Sequence, residues 1–360
     1  KDLSNALGIV SRALPVKAAI PILDGIKLSA TNNVLTLSAT DTDIYITRKV
    51  AVESLEDGEV VVLGKFFTEF IKKLEDIQEI TLEETSNGLK VCYGTNEMGL
   101  NTFDINVFPD FRDTEEKQFF SVIQRDLKAV CEKTVFCAAT DETRPILKGC
   151  LLHLDGSTLT LVALDGYRLA ICSCGVALGA GTTQIIIPAK NLTEISKIFA
   201  DTDDLVAVSV QENLVKFSFK DTIISTRLLA GEFISYQKII PSTFSAIVNI
   251  DKRALERGLD RALLISRTRK NNYIKLGVEA TETKISTEID TMSIKEVVPC
   301  TLDGTPLTIA FNAKYLLDAF SRISSDTLNM SFSSVTGPAI ISSSSGDLCK
   351  YIILPIRLVL

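Results

Sequence analysis

Apolar residues recur every three to four positions in three stretches, 2–14, 126–138 and 251–265, and each stretch opens on an Asp. A carboxylate in the first turn offsets the positive end of the helix dipole, so each stretch is predicted to be a helix. Alternation with period two follows at 25–39 and 149–163, the pattern of half-buried strands. An apolar strand then runs through a Lys into a second helical pattern, at 65–74, 190–199 and 314–323. Further short strands close each set, with hairpin turns signalled by Asn87-Gly88 and by the small polar run 342–346.

These sets are copies of one another. Pro21-Ile22-Leu23-Asp24-Gly25 returns as Pro145-Ile146-Leu147-Lys148-Gly149, an offset of 124. The same offset carries Leu35-Thr36-Leu37 onto Leu159-Thr160-Leu161, Thr40-Asp41 onto Leu164-Asp165, and Asp2-Leu3 onto Asp126-Leu127. Lys65, Lys190 and Lys314 are spaced by 125 and 124. The third copy is fainter at its start, where Leu255 and Gly277 follow Leu127 and Gly149 by 128. A register held over such distances implies three repeated domains, 1–120, 121–243 and 244–360. Each is expected to hold two helices and about eight strands in an antiparallel sheet with helices on one face, an α+β fold. The first copy begins at its helix, so its opening strand is expected to be missing.

Composition adds limits. The 360 residues are 46% apolar, enough for packed cores, and no apolar run approaches the roughly 18 residues of a membrane helix. Eight cysteines are scattered, several inside apolar runs, which suits a reducing cytoplasm better than a disulfide framework. Cys172-Ser173-Cys174 lacks zinc-site spacing and His153 is the only histidine, so neither a metal nor a cofactor is expected. The net charge of −7 argues against nucleic acid only if charge is summed globally. The predicted helices are net basic, with Lys72, Lys73, Lys128, Lys197, Arg253 and Arg257 among their cations. On one helix these would be a solvated face. On six helices on one side of a repeated sheet they would form one positive surface that neutralises phosphates without reading bases.

The sharpest local signal is Leu164-Asp165-Gly166-Tyr167-Arg168-Leu169, a polar turn between apolar strands. Asp165 and Arg168 could polarise a substrate. Asp165 has Asp41 as its repeat equivalent, however, and an Asp shared by repeated turns is more often there to bond its own backbone. No phosphate-binding glycine loop is present, and no catalytic residue is assigned.

Ala163 through Ala170, Leu229-Ala230-Gly231-Glu232-Phe233, and Tyr351-Ile352-Ile353-Leu354-Pro355-Ile356-Arg357-Leu358 together resemble the bacterial sliding clamps, the beta subunits of DNA polymerase III, and the resemblance covers essentially the full chain. It implies a non-enzymatic processivity factor, a head-to-tail homodimer closed into a ring of six domains around duplex DNA. Family interface positions match Met98 and Leu100 on one side and Leu264 and Ile265 on the other, with ordinary core burial as the alternative. Lys17, Arg267, Arg269 and Lys270 match DNA-contact loops. Expected partners are DNA polymerase III core, the clamp loader and other clamp-motif proteins, in the cytoplasm and away from membranes.

The resemblance also implies a groove between the second and third domains that receives short partner peptides. Its positions match Arg144, Leu147, Leu164, Gly166, Tyr167, Arg168 and Leu169 in the second repeat. They continue with Ile234, Lys238 and Ile239, then Asn312 and Tyr315, and end on Ile352, Ile353, Leu354, Pro355, Ile356 and Arg357. Leu, Ile and Pro would make the apolar pocket, while Arg168, Arg357 and Asn312 would fix peptide backbone or a carboxylate. The family more commonly has Thr at 164, His at 167, Pro at 234 and Arg at 238, and most members lack the terminal Val359-Leu360.

Overall fold

The computed structural model describes residues 1–74, 76–109, 120–179, 181–211, 213–267, 272–289, 291–344, 346 and 348–357. Arg269, Lys270 and Val359-Leu360 lie outside the described residues.

The helices are α1 (Asp2–Val10), α2 (Gly64–Lys72), α3 (Gln124–Thr134), α4 (Ala189–Ser196), α5 (Lys252–Ser266) and α6 (Ala313–Phe320), two in each repeat. The first and third end four residues earlier than periodicity predicts. There the chain tightens into 3-10 turns, Ser11–Ala13 and Val135–Cys137, which keep the apolar positions on one side. Asp251 proves to be a cap: its carboxylate accepts the Ala254 N–H at 2.6 Å and starts α5. Among the described residues each repeat holds eight strands, the second beginning at Phe120 and the third at Ala246.

Contacts gather these repeats into two compact units. One comprises Lys1–Lys128, Val176–Ala180 and Lys190–Leu228. Its main sheet is antiparallel, in the order Thr102–Phe103, Gly58–Leu63, Gly25–Thr31, Val34–Thr40, Ile44–Ala51, Thr222–Arg227, Leu214–Phe219, Leu205–Val210 and Phe120–Ile123. A separate three-stranded sheet runs Thr81–Thr85, Gly88–Tyr93 and Asn96–Leu100. Leu7 and Val10 from α1, Phe67 from α2, and Ile26, Leu37 and Ile46 from the sheet are fully buried here.

The other unit comprises Ala129–Gly175, Gly181–Ala189 and Leu229–Leu360. Its twelve strands begin Gly181–Pro188, Gly149–Gly156, Thr158–Leu164, Arg168–Gly175, Cys349–Ile353, Ala339–Ser343 and Thr327–Phe332. They continue with Ala246–Asp251, Met292–Gly304, Glu282–Ile289, Tyr273–Val278 and Leu307–Asn312. The strands of the middle repeat are thus divided between two sheets.

The reason is a strand pairing that occurs twice. Ile44–Ala51 pairs with Thr222–Arg227, placing Ile44 opposite Thr226 and Ile46 opposite Ile224. Arg168–Gly175, 124 positions later, pairs with Cys349–Ile353 in the same manner, placing Arg168 opposite Ile353 and Ala170 opposite Tyr351. At each seam an apolar pair is buried, Ile46 with Ile224 and Ala170 with Tyr351. Among the described residues the third strand of the series, Met292–Gly304, pairs over 292–299 only with Glu282–Ile289. Among them, too, the third counterpart, Asn96–Leu100, pairs only with Gly88–Tyr93. Each of these two strands thus keeps one edge unpaired by any described residue.

The cysteine expectation needs correcting. Cys172 and Cys349 are direct cross-strand partners with Cα atoms 4.1 Å apart and are joined as a disulfide. A separation of 177 residues and membership of different repeats conceal the pair from any local spacing rule. Burial pushes the remaining thiols of Cys131, Cys137 and Cys150 up, that of Cys131 to about 12, so they behave as small hydrophobes. Among the described residues no helix is long and apolar enough to cross a membrane.

Candidate functional site

Asp165 organises the site by shaping a turn. Its Oδ1 accepts the N–H groups of Tyr167 at 2.8 Å and Arg168 at 2.9 Å, and Oδ2 accepts Arg168 Nε at 3.0 Å. Gly166 between them has φ of 92°, a conformation that costs glycine little and side-chain-bearing residues more. A carboxylate engaged in this way is not poised as a base, which leaves the structural reading of Asp165.

The turn is tied to the end of the chain. Leu354 donates its N–H to the Tyr167 carbonyl at 2.9 Å, and Ile356 donates to the Ala310 carbonyl at 2.8 Å. Strand pairing continues the contact downward, Leu169 opposite Ile352. Leu147, Leu164, Leu169 and Ile352 are buried in one apolar cluster together with Tyr236 and Ile340, and Ile353 is buried beside Ile352 in the chain. Above this floor Tyr167, Ile234 and Leu354 are exposed, as are Arg144, Lys238 and Arg357. Ile239, Asn312, Tyr315, Pro355 and Ile356 are half-buried. All eighteen groove positions expected from the sequence fall within the second compact unit.

Arg168 has partners within the chain that the sequence did not show. Its Nε is engaged by Asp165, its Nη1 donates to Asp318 at 2.6 Å, and its Nη2 donates to the Phe136 carbonyl at 3.2 Å. The guanidinium also lies 4.6 Å from the Tyr315 ring centroid and 5.4 Å from that of Phe136. It therefore braces the groove wall from inside, where a half-buried, bonded guanidinium holds two carboxylates and two rings in register. Burial, then the nearby Asp165 carboxylate, pushes the Tyr315 hydroxyl up, so it stays a neutral donor at physiological pH. Asn312 uses Oδ1 to cap α6, accepting Lys314 N–H at 3.0 Å. Phe136 and Asp318 were missed from the sequence. Asp318 sits one helical turn beyond Tyr315 on α6, which was a usable signal, whereas nothing near Phe136 announces it.

The expected DNA-facing cations divide. Lys17, Lys72, Lys73, Arg257 and Arg267 are exposed. Lys128 is bonded to Asp201 at 2.8 Å, Lys197 to Glu194 at 2.6 Å, and Arg253 approaches Asp326 at 3.8 Å. Lys65 donates to the carbonyls of Pro15 and Val16, holding the loop that presents Lys17. Of the four interface positions none is buried: Met98, Leu100 and Ile265 are half-buried and Leu264 is 67% exposed.

A thrice-repeated antiparallel scaffold with open sheet edges and a braced apolar groove defines a clamp-type scaffold protein. Family models for the DNA polymerase III beta subunit match the whole series: the N-terminal domain over residues 1–112, the central domain over 121–234 and the C-terminal domain over 237–357. The beta sliding clamp of Halalkalibacterium halodurans is 32% identical over 97% of this chain and 95% of its own. That of Bacillus subtilis is 30% identical over the same shares, and the crystal structure of the Bacillus subtilis sliding clamp matches with a TM-score of 0.93, 28% identity, and coverage of 99% of this chain and 97% of its own. The structure from Thermotoga maritima also gives 0.93, at 26% identity over 99% of this chain and 97% of its own.

The chain belongs to the bacterial DNA polymerase III beta subunits, the beta sliding clamps. It is a non-catalytic processivity factor that acts as a ring-shaped dimer on DNA and binds polymerase.

Proposed function

We propose that ring closure repeats, between two copies of the chain, the strand pairing that each copy already makes twice. The observation that carries this is the pair of leftover edges, 292–299 and Asn96–Leu100, at the repeat positions of the two strands joined elsewhere. Carrying the register over sets Leu100 opposite Met292, Met98 opposite Ile294, and Glu97 opposite Lys295 of a second copy. Ile46 and Ile224 occupy the positions of Ile294 and Met98 in the first seam, so an apolar pair is expected there too. Glu296, two residues beyond Ile294 and on the same side of its strand, is bonded to Arg261 of α5 at 2.7 Å. Met98 and Leu100 would therefore meet the face that carries Leu264 and Ile265. Two edges used reciprocally close a ring of two chains. Native mass is the test: a value near twice 39.3 kDa supports closure, and a monomer at micromolar concentration contradicts it.

The division 1–120, 121–243 and 244–360 is kept as the repeat and evolutionary unit, supported by strands that open at Phe120 and Ala246, even though contacts cut across it. The groove around Leu147, Leu164, Leu169, Ile352 and Leu354 is where polymerase and other partner peptides dock. What supports it is the joining of the Asp165 turn to the chain's last strand by backbone bonds over one apolar floor. Lys17, Lys72, Lys73, Arg257 and Arg267 face the DNA backbone. Lys128, Lys197 and Arg253 join them with their charge partly offset by Asp201, Glu194 and Asp326. The protein works in the cytoplasm, where the replicating chromosome lies.

A further inference from the structure

Cys172 and Cys349 are the last directly opposed pair where Arg168–Gly175 meets Cys349–Ile353. The far end of Cys349–Ile353 is well held, since Leu354 donates to the Tyr167 carbonyl and Ile356 to the Ala310 carbonyl. Its near end is held less. Among the described residues its pairing with Ala339–Ser343 stops at Lys350, so Cys349 faces Cys172 alone, and Leu348 before it is 64% exposed. Strands open first from such ends. The disulfide therefore sits at the end where the last strand would otherwise fray, and it joins the second repeat to the third within one compact unit.

We propose that Cys172–Cys349 is a reversible redox latch: formed, it pins the chain's last strand across the seam between the second and third repeats; reduced, it leaves that strand free to open from Cys349. In the cytoplasm, the location proposed above, a disulfide lasts only while an oxidant maintains it, and such bonds are usually transient or redox-sensing ones. Cys172 is 0% and Cys349 4% exposed, so a reagent reaches the pair through the fraying end, Cys349 first. Nearby thiols do not compete. Burial pushes those of Cys131, Cys137 and Cys150 up, which leaves them little thiolate to attack the bond and scramble it.

The exchange balances with a small disulfide, oxidised glutathione, as oxidant. The Cys349 thiolate attacks one glutathione sulfur, breaks the glutathione S–S bond and releases one glutathione thiolate. The Cys172 thiolate then attacks the Cys349 sulfur of the mixed disulfide and releases the second. Two electrons pass from the protein to glutathione, and the two protons lost by the cysteines end on the two glutathione thiols. A dithiol reductant runs the same steps backward.

The test equilibrates the full-length protein in mixtures of reduced and oxidised glutathione, quenches it in acid, alkylates it in denaturant and maps the peptides by mass. Cys172 and Cys349 should pass together from alkylated to linked as oxidised glutathione rises, and excess dithiothreitol should return both to thiols. Hydrogen exchange at amides 350–353 should be slower in the linked form by on the order of tenfold or more. In Cys172→Ala and in Cys349→Ala that exchange should not depend on the mixture, and either variant suffices if the other does not fold. A pair unlinked in every mixture overturns the latch, and a pair still linked in excess dithiothreitol overturns its reversibility. Interconversion that leaves exchange at 350–353 unchanged, or a redox dependence that survives in either variant, overturns the pinning of the strand.

Discussion

Asp41 and Asp165 build the same turn in different repeats: each Oδ1 accepts N–H bonds from the residues two and three positions on, Asp43 and Ile44 in one, Tyr167 and Arg168 in the other. The residue after each Asp has positive φ, 79° at Thr42 and 92° at Gly166. For a β-branched residue that conformation costs roughly 1–2 kcal/mol. Thr42→Gly should therefore raise stability by up to ~1 kcal/mol, the gain reduced by glycine's greater freedom when unfolded. Gly166→Thr should lower it by ~1–2 kcal/mol. Urea midpoints measure both, and a Thr42→Gly variant less stable than wild type would contradict the shared turn.

The seam register makes a charge prediction. Glu97→Lys and Lys295→Glu should each weaken the dimer by setting like charges opposite one another, on the order of 0.2–1 kcal/mol at each of two seams. The double exchange should recover association, apart from the cost of losing the Lys90 contact to Glu97 at 3.2 Å. Sedimentation equilibrium reads the outcome. A double variant that dissociates as readily as the worse single variant would refute the register.

Groove anchors can be separated from core packing. Leu354 is only part-buried, 38% exposed, so Leu354→Ala should weaken partner peptides by on the order of 2 kcal/mol with little loss of stability. Leu169 lies in the buried floor, and Leu169→Ala should in addition destabilise the unit by ~2–5 kcal/mol through the cavity it leaves. Calorimetric titration paired with melting curves distinguishes the two.

Glu194 supplies a pH test. Burial opposes its charge, but Lys197 at 2.6 Å and Arg12 at 3.1 Å outweigh burial and hold its carboxyl below the ordinary value. A depressed folded-state pKa means that this stabilisation is present above the unfolded pKa and is lost as pH falls through the folded one. Glu194→Gln should therefore be less stable than wild type at pH 7, and the difference should disappear as both are acidified through the carboxylate range. A difference unchanged at acid pH would show that lost packing, not charge, is responsible.

Much of this was legible because it is local. The offset of 124 located the repeats, and the strands that open the second and third begin at Phe120 and Ala246, close to where the copies diverge. Periodicity, joined to an acidic first turn in three cases and to a strand-to-Lys landmark in the other three, found the six helices of the described residues, while the 3-10 tails after α1 and α3 share the helical pattern and blurred their ends. What stayed hidden depends on pairing between distant strands. Nothing near Cys172 points to Cys349, and nothing near Arg168 points to Asp318, 150 residues away. For the same reason the internal partners of Arg168, which take its Nε and one hydrogen bond from each Nη, were not legible in the sequence. The seam explains why these contacts stay hidden, since an edge strand does not encode in its own alternation which other edge will cover it.

The central claim, that the protein holds DNA by enclosing it, is tested most directly by loading it on nicked circular DNA and then cutting the circle once. Topological enclosure predicts that the protein stays on the closed circle at salt high enough to screen its lysines and arginines, and slides off the free ends once the DNA is linear. Equal retention on the linear product with unblocked ends would contradict it.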